Sequence, residues 1–514
     1  MRRLRPVTGR PVLVLTAVVA IVTGGLVTLP VLTPATATPR PVTAALQQLP
    51  LTTLDATPAL RTGPARRSLL SPQTGTRPYS LMGVTWRADD AVGEVEVLVR
   101  NRSDGRWAAW ERVDADGDDA PDDGSVDTVR TVRAGTAPVW TGPSDGVQVR
   151  VTSLSGAAPR DVKVELVDPG SSPADAVPTA PRDTAGAAAP RPEIVTRAQW
   201  GADESIRRGS PDYNSTVKVG FVHHTASSND YTPTQAAAMV RGIYAYHVKS
   251  NGWSDIGYNY LVDRYGRAYE GRAGGLDRYV VGAHTGGFNA SSFGVSLLGD
   301  FSTVPPSTAT VEMLSEVLAW KLGSAYRDPN GTAVLRSAGG GTSKYPAGSD
   351  ATFDVVSGHR DAGSTSCPGA TTYARMPLIR DLVSGAIGAG FADPAVNQTV
   401  FPLDSKGPVT VRARLLGPVA WTAAVLDAKG AELRTTSGTD PEVAFSWNLT
   451  GTDGTPVPAG SYAVRLTGRA GEDDALTYTA RVVVDAPLCR GTPLQRAACQ
   501  AAERAARHSA PRPG

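Results

Sequence analysis

The chain has 514 residues, and its 51 Lys plus Arg against 49 Asp plus Glu leave a formal net charge of +2 at pH 7. Such a balance gives no electrostatic reason to expect a nucleic acid or an anionic membrane surface as partner. One hydrophobic core rarely serves a chain of this length, so we expect roughly three domains.

An export signal is predicted at residues 1–37. Four arginines among the first ten residues precede an apolar run from Val12 to Val31, which is followed by the small residues Ala35-Thr36-Ala37. This order is typical of a cleaved signal peptide. An uncleaved anchor is the alternative, but glycines and a proline interrupt the apolar run. We therefore expect a secreted protein with no membrane span after cleavage.

The next segments alternate between irregular and β-rich patterns. Residues 38–75 are rich in Pro and Thr without a sustained period, and we expect them to be disordered. Residues 76–170 carry short alternating apolar runs between Asp and Gly turns, the pattern of an antiparallel β-sandwich. Their acidic stretch 114–127 lacks the EF-hand register and the closing glutamate of a calcium loop, so a solvated loop is predicted. Residues 171–192, rich in Ala and Pro, are predicted to be a linker.

Residues 193–390 mix strand and helix patterns. A predicted strand from Val217 to His224 precedes a capping box at Thr232 to Gln235, which opens a helix to about Val248. Further strands and two more amphipathic helices follow, with strands at 258–263, 268–270 and 294–298 and helices near 311–322 and 378–383. The pattern predicts an α/β domain with helices packed on a mixed sheet.

Residues 397–486 alternate again and predict a second small β-sandwich, so that the α/β domain lies between two all-β domains. Trp447 and the segment from Thr452 to Tyr462 resemble the hairpin of the immunoglobulin-like domain named after the flagellar hook-capping protein. That resemblance indicates a fold and no chemistry.

The cysteines divide into a pair and an odd one. Cys489 and Cys499 lie close together in the C-terminal tail, residues 487–514, and an oxidising compartment favours their disulfide. Cys367 is then a thiol that needs another explanation.

His359 and Cys367 lie eight positions apart in one Gly-, Ser- and Pro-rich segment. A neutral imidazole and a thiolate are both good zinc ligands, and three protein ligands plus water are typical of a catalytic site. The third ligand would come from the other histidines of the same domain, which are His223, His224, His247 and His284.

Local patterns sort these four histidines only in part. His223 and His224 end a predicted strand, so their side chains point to opposite faces and one of them at most enters the site. His247 lies on the apolar stripe of a helix, where we expect a hydrogen-bonded core histidine. His284 lies in a polar loop and could either contact substrate or ligate the metal.

At least six motifs of this region, taken in order, resemble those of the peptidoglycan recognition proteins, which belong to the type 2 N-acetylmuramoyl-L-alanine amidases. The resemblance covers most of residues 193–390. The motifs include Arg197-Ala198-Gln199-Trp200-Gly201-Ala202, Phe221-Val222-His223-His224-Thr225, Trp253-Ser254-Asp255-Ile256-Gly257-Tyr258-Asn259-Tyr260, Tyr269-Glu270-Gly271-Arg272, Gly282-Ala283-His284, and Gly358-His359-Arg360 through Cys367-Pro368-Gly369.

The resemblance implies a zinc site and its ligands. The first histidine of the family's His-His pair is the ligand, which falls on His223, and the other two ligands fall on His359 and Cys367. His224 would then be structural. A zinc-bound thiolate would also account for the odd cysteine.

Further site residues follow from the same resemblance. The family's catalytic tyrosine falls on Tyr258, and the residue two before the ligand cysteine falls on Thr365, an expected oxyanion donor. Four residues are expected to contact substrate, and they are Trp253, His284, Asn289 and Arg360. The chain has no H-E-x-x-H glutamate, and we expect Glu270 to be structural, facing Arg272.

The implied reaction is zinc-dependent hydrolysis of the amide bond between the lactyl group of N-acetylmuramic acid and L-alanine of the peptidoglycan stem. We expect Zn²⁺ as cofactor, peptidoglycan as partner, and a monomer acting in the cell wall. The alternatives are a non-catalytic binding module, a purely structural zinc, and a Cys-His acyl-transfer enzyme. The three ligands together with Tyr258 favour hydrolysis over a binding module. A structural zinc does not explain why only three ligands are evident, and no helix N-terminus signal precedes Cys367 to lower its pKa for acyl transfer.

Two features of this region carry no functional assignment. Gly287-Phe288 combines one residue from each of the family's diaminopimelate and lysine patterns, so the stem preference stays open. Residues 328–352 are predicted to be an inserted loop.

Overall fold

The structure is a computed structural model of the chain. The residues it describes are 40–51, 67–88, 92–115, 119–125, 127, 133–155, 157–172, 175, 189–341, 343–403, 405, 407–469 and 475–485. The predicted signal peptide and the predicted Cys489–Cys499 disulfide lie outside these residues. None of the helices in the described ranges is both long enough and apolar enough to cross a membrane.

The N-terminal strands pair antiparallel in one nine-stranded sheet. They are β1 (Ala45–Pro50), β2 (Arg67–Leu70), β3 (Thr74–Arg87), β4 (Val95–Ser103), β5 (Arg106–Trp107), β6 (Glu111–Val113), β7 (Arg133–Gly135), β8 (Val139–Ser153) and β9 (Lys163–Asp168). The main path runs β1-β9-β3-β8-β4-β5, while β2 pairs with β8, β6 with β4, and β7 with β3. The region is all-β, as predicted. Because the long strands β3 and β8 each pair with several neighbours, the hydrogen bonding is continuous rather than split into the two sheets of a simple sandwich.

The prediction of disorder for residues 38–75 is wrong where the structure describes them. Strand β1 pairs along its whole length with β9, from Ala45 opposite Asp168 to Pro50 opposite Lys163. Composition favours disorder when too few apolar residues can be buried. Here a neighbouring strand edge supplies backbone partners, and Leu49 packs against the core of the sheet.

The central region contains eight strands and five helices. The strands are β10 (Ile194–Val195), β11 (Val219–His224), β12 (Tyr260–Val262), β13 (Ala268–Glu270), β14 (Ser292–Leu297), β15 (Thr332–Arg336), β16 (Asp350–Asp354) and β17 (Val356–Gly358). The helices are α1 (Ala236–Ala245), α2 (Thr308–Ser324), α3 (His359–Ala362), α4 (Ala370–Tyr373) and α5 (Met376–Ile387), with a π-helical turn at Tyr246–Ser250 directly after α1.

A six-stranded mixed sheet with the order β10-β13-β12-β14-β11-β17 forms the centre of this region. Strand β11 lies between β14 and β17 and is parallel to both. Along β12, Tyr260 and Val262 belong to the core that α2 and α5 cover, whereas Leu261 belongs to the core that α1 covers. Helices therefore pack on both faces of a mixed sheet, which confirms the predicted α/β architecture.

The core under α1 is shared with the N-terminal sheet. Leu81, Trp140 and Val167 of that sheet belong to the same buried cluster as Ile243 and Tyr246. The Tyr246 hydroxyl also donates a hydrogen bond to the carbonyl of Thr136. The N-terminal sheet and the central region are thus joined by apolar packing.

The C-terminal region is all-β in its described part. Its strands are β18 (Gly390–Val396), β19 (Val400–Pro402), β20 (Val409–Leu416), β21 (Ala420–Leu426), β22 (Glu432–Gly438), β23 (Glu442–Trp447), β24 (Gly460–Arg469) and β25 (Ala475–Asp485). They form a three-stranded sheet, β18-β20-β23, and a five-stranded sheet, β19-β25-β24-β21-β22. Both sheets contribute to one core, in which Trp447 is fully buried.

Candidate metal centre

Three donor side chains meet at one edge of the mixed sheet. His223 lies near the end of β11, and His359 follows β17 directly as the first residue of α3. Because β11 and β17 are parallel neighbours with Val222 opposite Gly358, both histidines leave the sheet at the same edge. Cys367 returns to this edge after α3. One ligand atom from each of these three residues lies within 4.8 Å of the other two.

The donor set suits a metal ion such as zinc. Sγ of Cys367 lies 3.8 Å from Nδ1 of His223. Both ring nitrogens of His359 are buried without a hydrogen-bond partner. A buried polar atom without a partner is costly, and a bound cation would satisfy it. Two imidazoles and one thiolate are ligands that zinc prefers, so these residues fit the implied metal.

Burial keeps both histidines neutral. Desolvation lowers the pKa of His223 to about 3 and that of His359 to about 3, from an ordinary value of 6.5. Neutral imidazoles at neutral pH are ready to ligate a cation. Since the unfolded chain binds these protons more readily, the folded state loses stability as the pH falls from about 6.5 toward 3.

His284 contacts His223 on the side of the ring that faces away from Cys367. Its Nδ1 lies 3.2 Å from Nε2 of His223 and 2.9 Å from the hydroxyl of Thr285. This leaves Nδ1 of His223 facing Cys367. The ring of His284 is fully buried, and its expected contact with substrate stays a prediction. A ligand's outer partner of this kind orients the ring and fixes its tautomer.

The His284 ring packs closely against the backbone at two glycines. A methyl group at Gly294 would lie 2.5 Å from Cγ of His284, and one at Gly282 would overlap Cδ2 of the same ring. We expect Gly294→Ala to displace His284, misorient His223 and weaken metal binding about 10- to 100-fold. Competition with a chromophoric chelator measures this affinity. Gly385→Ala is the control, because a methyl group there meets nothing within 4 Å. Unchanged affinity in Gly294→Ala would contradict the supporting role of His284.

Tyr258 and Trp253 lie on the other side of the three donors. The ring centroids of Tyr258 and His223 are 5.6 Å apart. Burial raises the pKa of Tyr258 well above its ordinary value, and the neighbouring Asp119 adds to this effect. Trp253 stacks on His247, whose Nδ1 accepts a hydrogen bond from the backbone N–H of Gly257. The prediction of a hydrogen-bonded core histidine at His247 is therefore confirmed.

Two further predicted site residues, Thr365 and Arg360, contact the turn that carries Cys367. The Thr365 hydroxyl accepts a hydrogen bond from the backbone N–H of Cys367 at 2.9 Å. The backbone N–H of Arg360 donates to the carbonyl of Cys367, and its guanidinium lies over the ring of Tyr373. On the opposite side of β11, Nδ1 of His224 accepts a hydrogen bond from the N–H of Phe301. This is the structural role expected for His224.

The prediction of a solvated loop at residues 114–127 is wrong for Asp119, Asp122 and Asp127. Asp119 has a side chain only 17% exposed, Asp122 and Asp127 are buried, and all three contact the central region. We call the described residues 119–125 together with Asp127 the acidic segment. Asp127 pairs with Arg272 at 2.8 Å, which replaces the expected Glu270–Arg272 contact. The carboxylate of Glu270 instead accepts a hydrogen bond from the backbone N–H of Arg197.

Strands β15 and β16 form a hairpin within the predicted insertion 328–352 and just beyond it. The N–H of Ala338 donates to the carbonyl of Gly287, and the N–H of Lys344 donates to that of Ala362. The hairpin therefore forms a wall beside the metal centre. A cavity of about 380 Å³ remains there, bounded by Asp119, Trp253 and Cys367 among others.

Comparisons with known proteins agree with this arrangement. Residues 213–370 match the family model described as N-acetylmuramoyl-L-alanine amidase. Residues 34–184 match the model described as Rv3811 N-terminal galactose-binding domain-like.

Individual relatives match little more than a third of this chain. Peptidoglycan-recognition protein SC2 of Drosophila simulans is 32% identical over 180 residues, which is 35% of this chain and 82% of that protein. Peptidoglycan recognition protein 1 of Bos taurus is 31% identical over 189 residues, or 37% and 84% of the two chains. The solved structure of human PGRP-IBETAC in complex with glycosamyl muramyl pentapeptide is 26% identical and covers 36% of this chain and 93% of that chain, with a TM-score of 0.29. The chain belongs to the peptidoglycan recognition protein family.

Proposed function

We propose that this protein is a zinc-dependent N-acetylmuramoyl-L-alanine amidase. It hydrolyses the amide bond between the lactyl group of N-acetylmuramic acid and L-alanine of the stem peptide, and it acts as a secreted protein on the cell wall. The observation that carries the proposal is the convergence of three donors into one buried group: His223 and His359 come from neighbouring strand ends, and Cys367 comes from the loop after α3. Three such ligands are typical of a catalytic zinc site, because they leave a fourth position open.

His223, His359 and Cys367 would hold the ion. Zinc bound there supplies Lewis-acid polarisation of the amide carbonyl and an activated water molecule at neutral pH. The side chains around it keep this arrangement rigid: His284 orients His223, and the Thr365 hydroxyl holds the turn at Cys367. Preorganised ligands of this kind avoid reorganisation during the reaction.

Tyr258 is the proton-bearing group of the site. Its raised pKa keeps the phenol protonated at neutral pH, so the hydroxyl can donate a hydrogen bond to the oxyanion of the tetrahedral intermediate. Departure of the L-alanine amine requires a proton, and the Tyr258 hydroxyl would relay to it the proton that the attacking water loses. An additional oxyanion contact from Thr365, and substrate contacts from Trp253, Asn289 and Arg360, are further parts of the proposal.

Mass spectrometry of digested peptidoglycan tests the proposed reaction. Wild-type protein with zinc should release stem peptides that begin with a free L-alanine amine, leaving glycan strands without stems. Cys367→Ser should release none above background, because a hydroxyl is a poorer zinc ligand than a thiolate. The released stems also identify the diaminopimelate or lysine preference.

The zinc content of both proteins is measured in the same preparations. Wild-type protein that holds zinc and sediments with peptidoglycan, yet releases no stems, would show recognition without catalysis. That result would refute the proposed function.

A further inference from the structure

The acidic segment lies directly over the metal centre. The Tyr258 hydroxyl donates a hydrogen bond to Oδ2 of Asp119. Oδ1 of the same carboxylate makes no hydrogen bond, and it lies 3.4 Å from Nδ1 of His223 and 3.9 Å from Nδ1 of His359. Asp119 thus joins the three proposed ligands from a position more than a hundred residues earlier in the chain.

These distances are those of a fourth ligand. With zinc–nitrogen bonds of about 2.0–2.1 Å and zinc–oxygen bonds of similar length, ligand atoms around a tetrahedral ion lie about 3.3–3.5 Å apart. Oδ1 of Asp119 meets that spacing to His223 and nearly meets it to His359. Its charge also fits, because one carboxylate and one thiolate neutralise a divalent cation.

The rest of the acidic segment covers residues proposed to bind substrate. The side-chain amide of Asn289 donates to the carbonyl of Ala120 at 2.9 Å and to Oδ1 of Asp122 at 2.7 Å. The same Asp122 oxygen accepts from the backbone N–H of Gly287 at 2.9 Å. Asp127 adds a further contact with the central region through its ion pair with Arg272. A stem peptide, which also presents carbonyls and carboxylates, would need these donors.

We propose that the acidic segment is an internal occupant of the substrate groove, with Asp119 as the fourth ligand of the bound metal, and that wild-type enzyme hydrolyses slowly, through a minor open state, until the segment is displaced. This inference rests on the proposed function. Four protein ligands make a closed site of the structural type, whereas catalysis needs an open position. Substrate and the acidic segment therefore compete for the same metal position, for Tyr258 and for Asn289.

Removing Asp119 is expected to open the site. If the displaced state has the minor population typical of a two-state equilibrium, roughly 0.1–10%, freeing the groove raises kcat/KM about 10- to 1,000-fold. Asp122→Ala removes an anchor without touching the metal, so a smaller rise is expected. Glu312→Ala is the control, because Glu312 is an exposed acid on α2, outside the acidic segment, and should change nothing.

The experiment uses the full chain loaded with Co²⁺, whose visible absorption reports coordination, and azide as a small ligand for an open position. Wild type and Glu312→Ala should be insensitive to azide, whereas Asp119→Ala should show a changed spectrum and faster hydrolysis of muropeptides. Asp122→Ala should show a partial response of both kinds, which keeps the test informative if Asp119→Ala folds poorly.

Two results would overturn the inference while leaving the proposed function intact. One is a wild-type spectrum that already responds to azide. The other is slower hydrolysis by Asp119→Ala with no new azide response, which would make Asp119 a participant in catalysis. Failure of wild type to bind Co²⁺ or Zn²⁺ at all would instead refute the proposed function itself.

Discussion

His359→Ala is expected to abolish both metal binding and hydrolysis. Loss of one of three ligands removes Lewis-acid catalysis worth several kcal/mol, so kcat/KM should fall at least about 1,000-fold. The fold should survive without metal, because the lost imidazole carries two buried nitrogens with no hydrogen-bond partner. Added zinc should raise the thermal midpoint of wild type, since a ligand at 1,000 times its Kd stabilises the folded state by about 4 kcal/mol. It should not raise that of His359→Ala.

Tyr258→Phe separates metal binding from turnover. This variant keeps all three proposed ligands, so zinc should still raise its thermal midpoint. Hydrolysis should nevertheless fall about 100- to 1,000-fold, as for the loss of an oxyanion donor. A His359→Ala protein that still gains stability from zinc and still hydrolyses muropeptides would place the metal elsewhere.

Arg241→Leu is expected to cause the largest loss of stability. The guanidinium of Arg241 is buried and donates to the carboxylate of Asp175 and to the carbonyls of Pro169, Gly170 and Trp200. Removing it leaves those acceptors without their donor, and breaking a buried pair of this kind costs about 3–5 kcal/mol. Thermal unfolding followed by circular dichroism should show a midpoint lower by about 5–15 °C.

Arg336→Leu is the matched control for this change. Arg336 also pairs with an aspartate, Asp350, but their side chains are 70% and 62% exposed. Water screens such a pair, so little change in the midpoint is expected. Equal shifts in the two variants would show that the bonds of Arg241 contribute no special stability.

Much of the central fold could be predicted from local patterns. The strand expected at 217–224 is observed at Val219–His224, because its apolar run is continuous and buried on both faces. The helix expected to reach Val248 ends at Ala245 and continues as a π-helical turn. The spacing of the apolar residues does not distinguish an α-helix from a π-helical turn, since both keep the apolar stripe buried.

The site was predictable only where one motif carries it. His359 and Cys367 share a short segment, and the family resemblance led to His223, which the structure brings beside them. Asp119 was missed because its contact with Tyr258 spans 139 positions. An acidic run is normally solvated, and no local pattern indicates which distant surface it will meet. Arg272 is buried and does not pair with Glu270 as expected, so its charge needs an acidic partner from elsewhere in the chain. This unmet need is the nearest indication of the contact with the acidic segment.

The apolar cluster that Leu81 and Trp140 share with Ile243 and Tyr246 limits how this protein can be divided. Residues 193–390 read as a self-contained module that could be produced alone or moved into a chimera. A protein truncated at residue 193 would lack the N-terminal side of that cluster. Tyrosine and aliphatic side chains would then be exposed to solvent, and an exposed apolar surface favours aggregation. The smallest useful piece for biochemistry therefore begins with the N-terminal sheet.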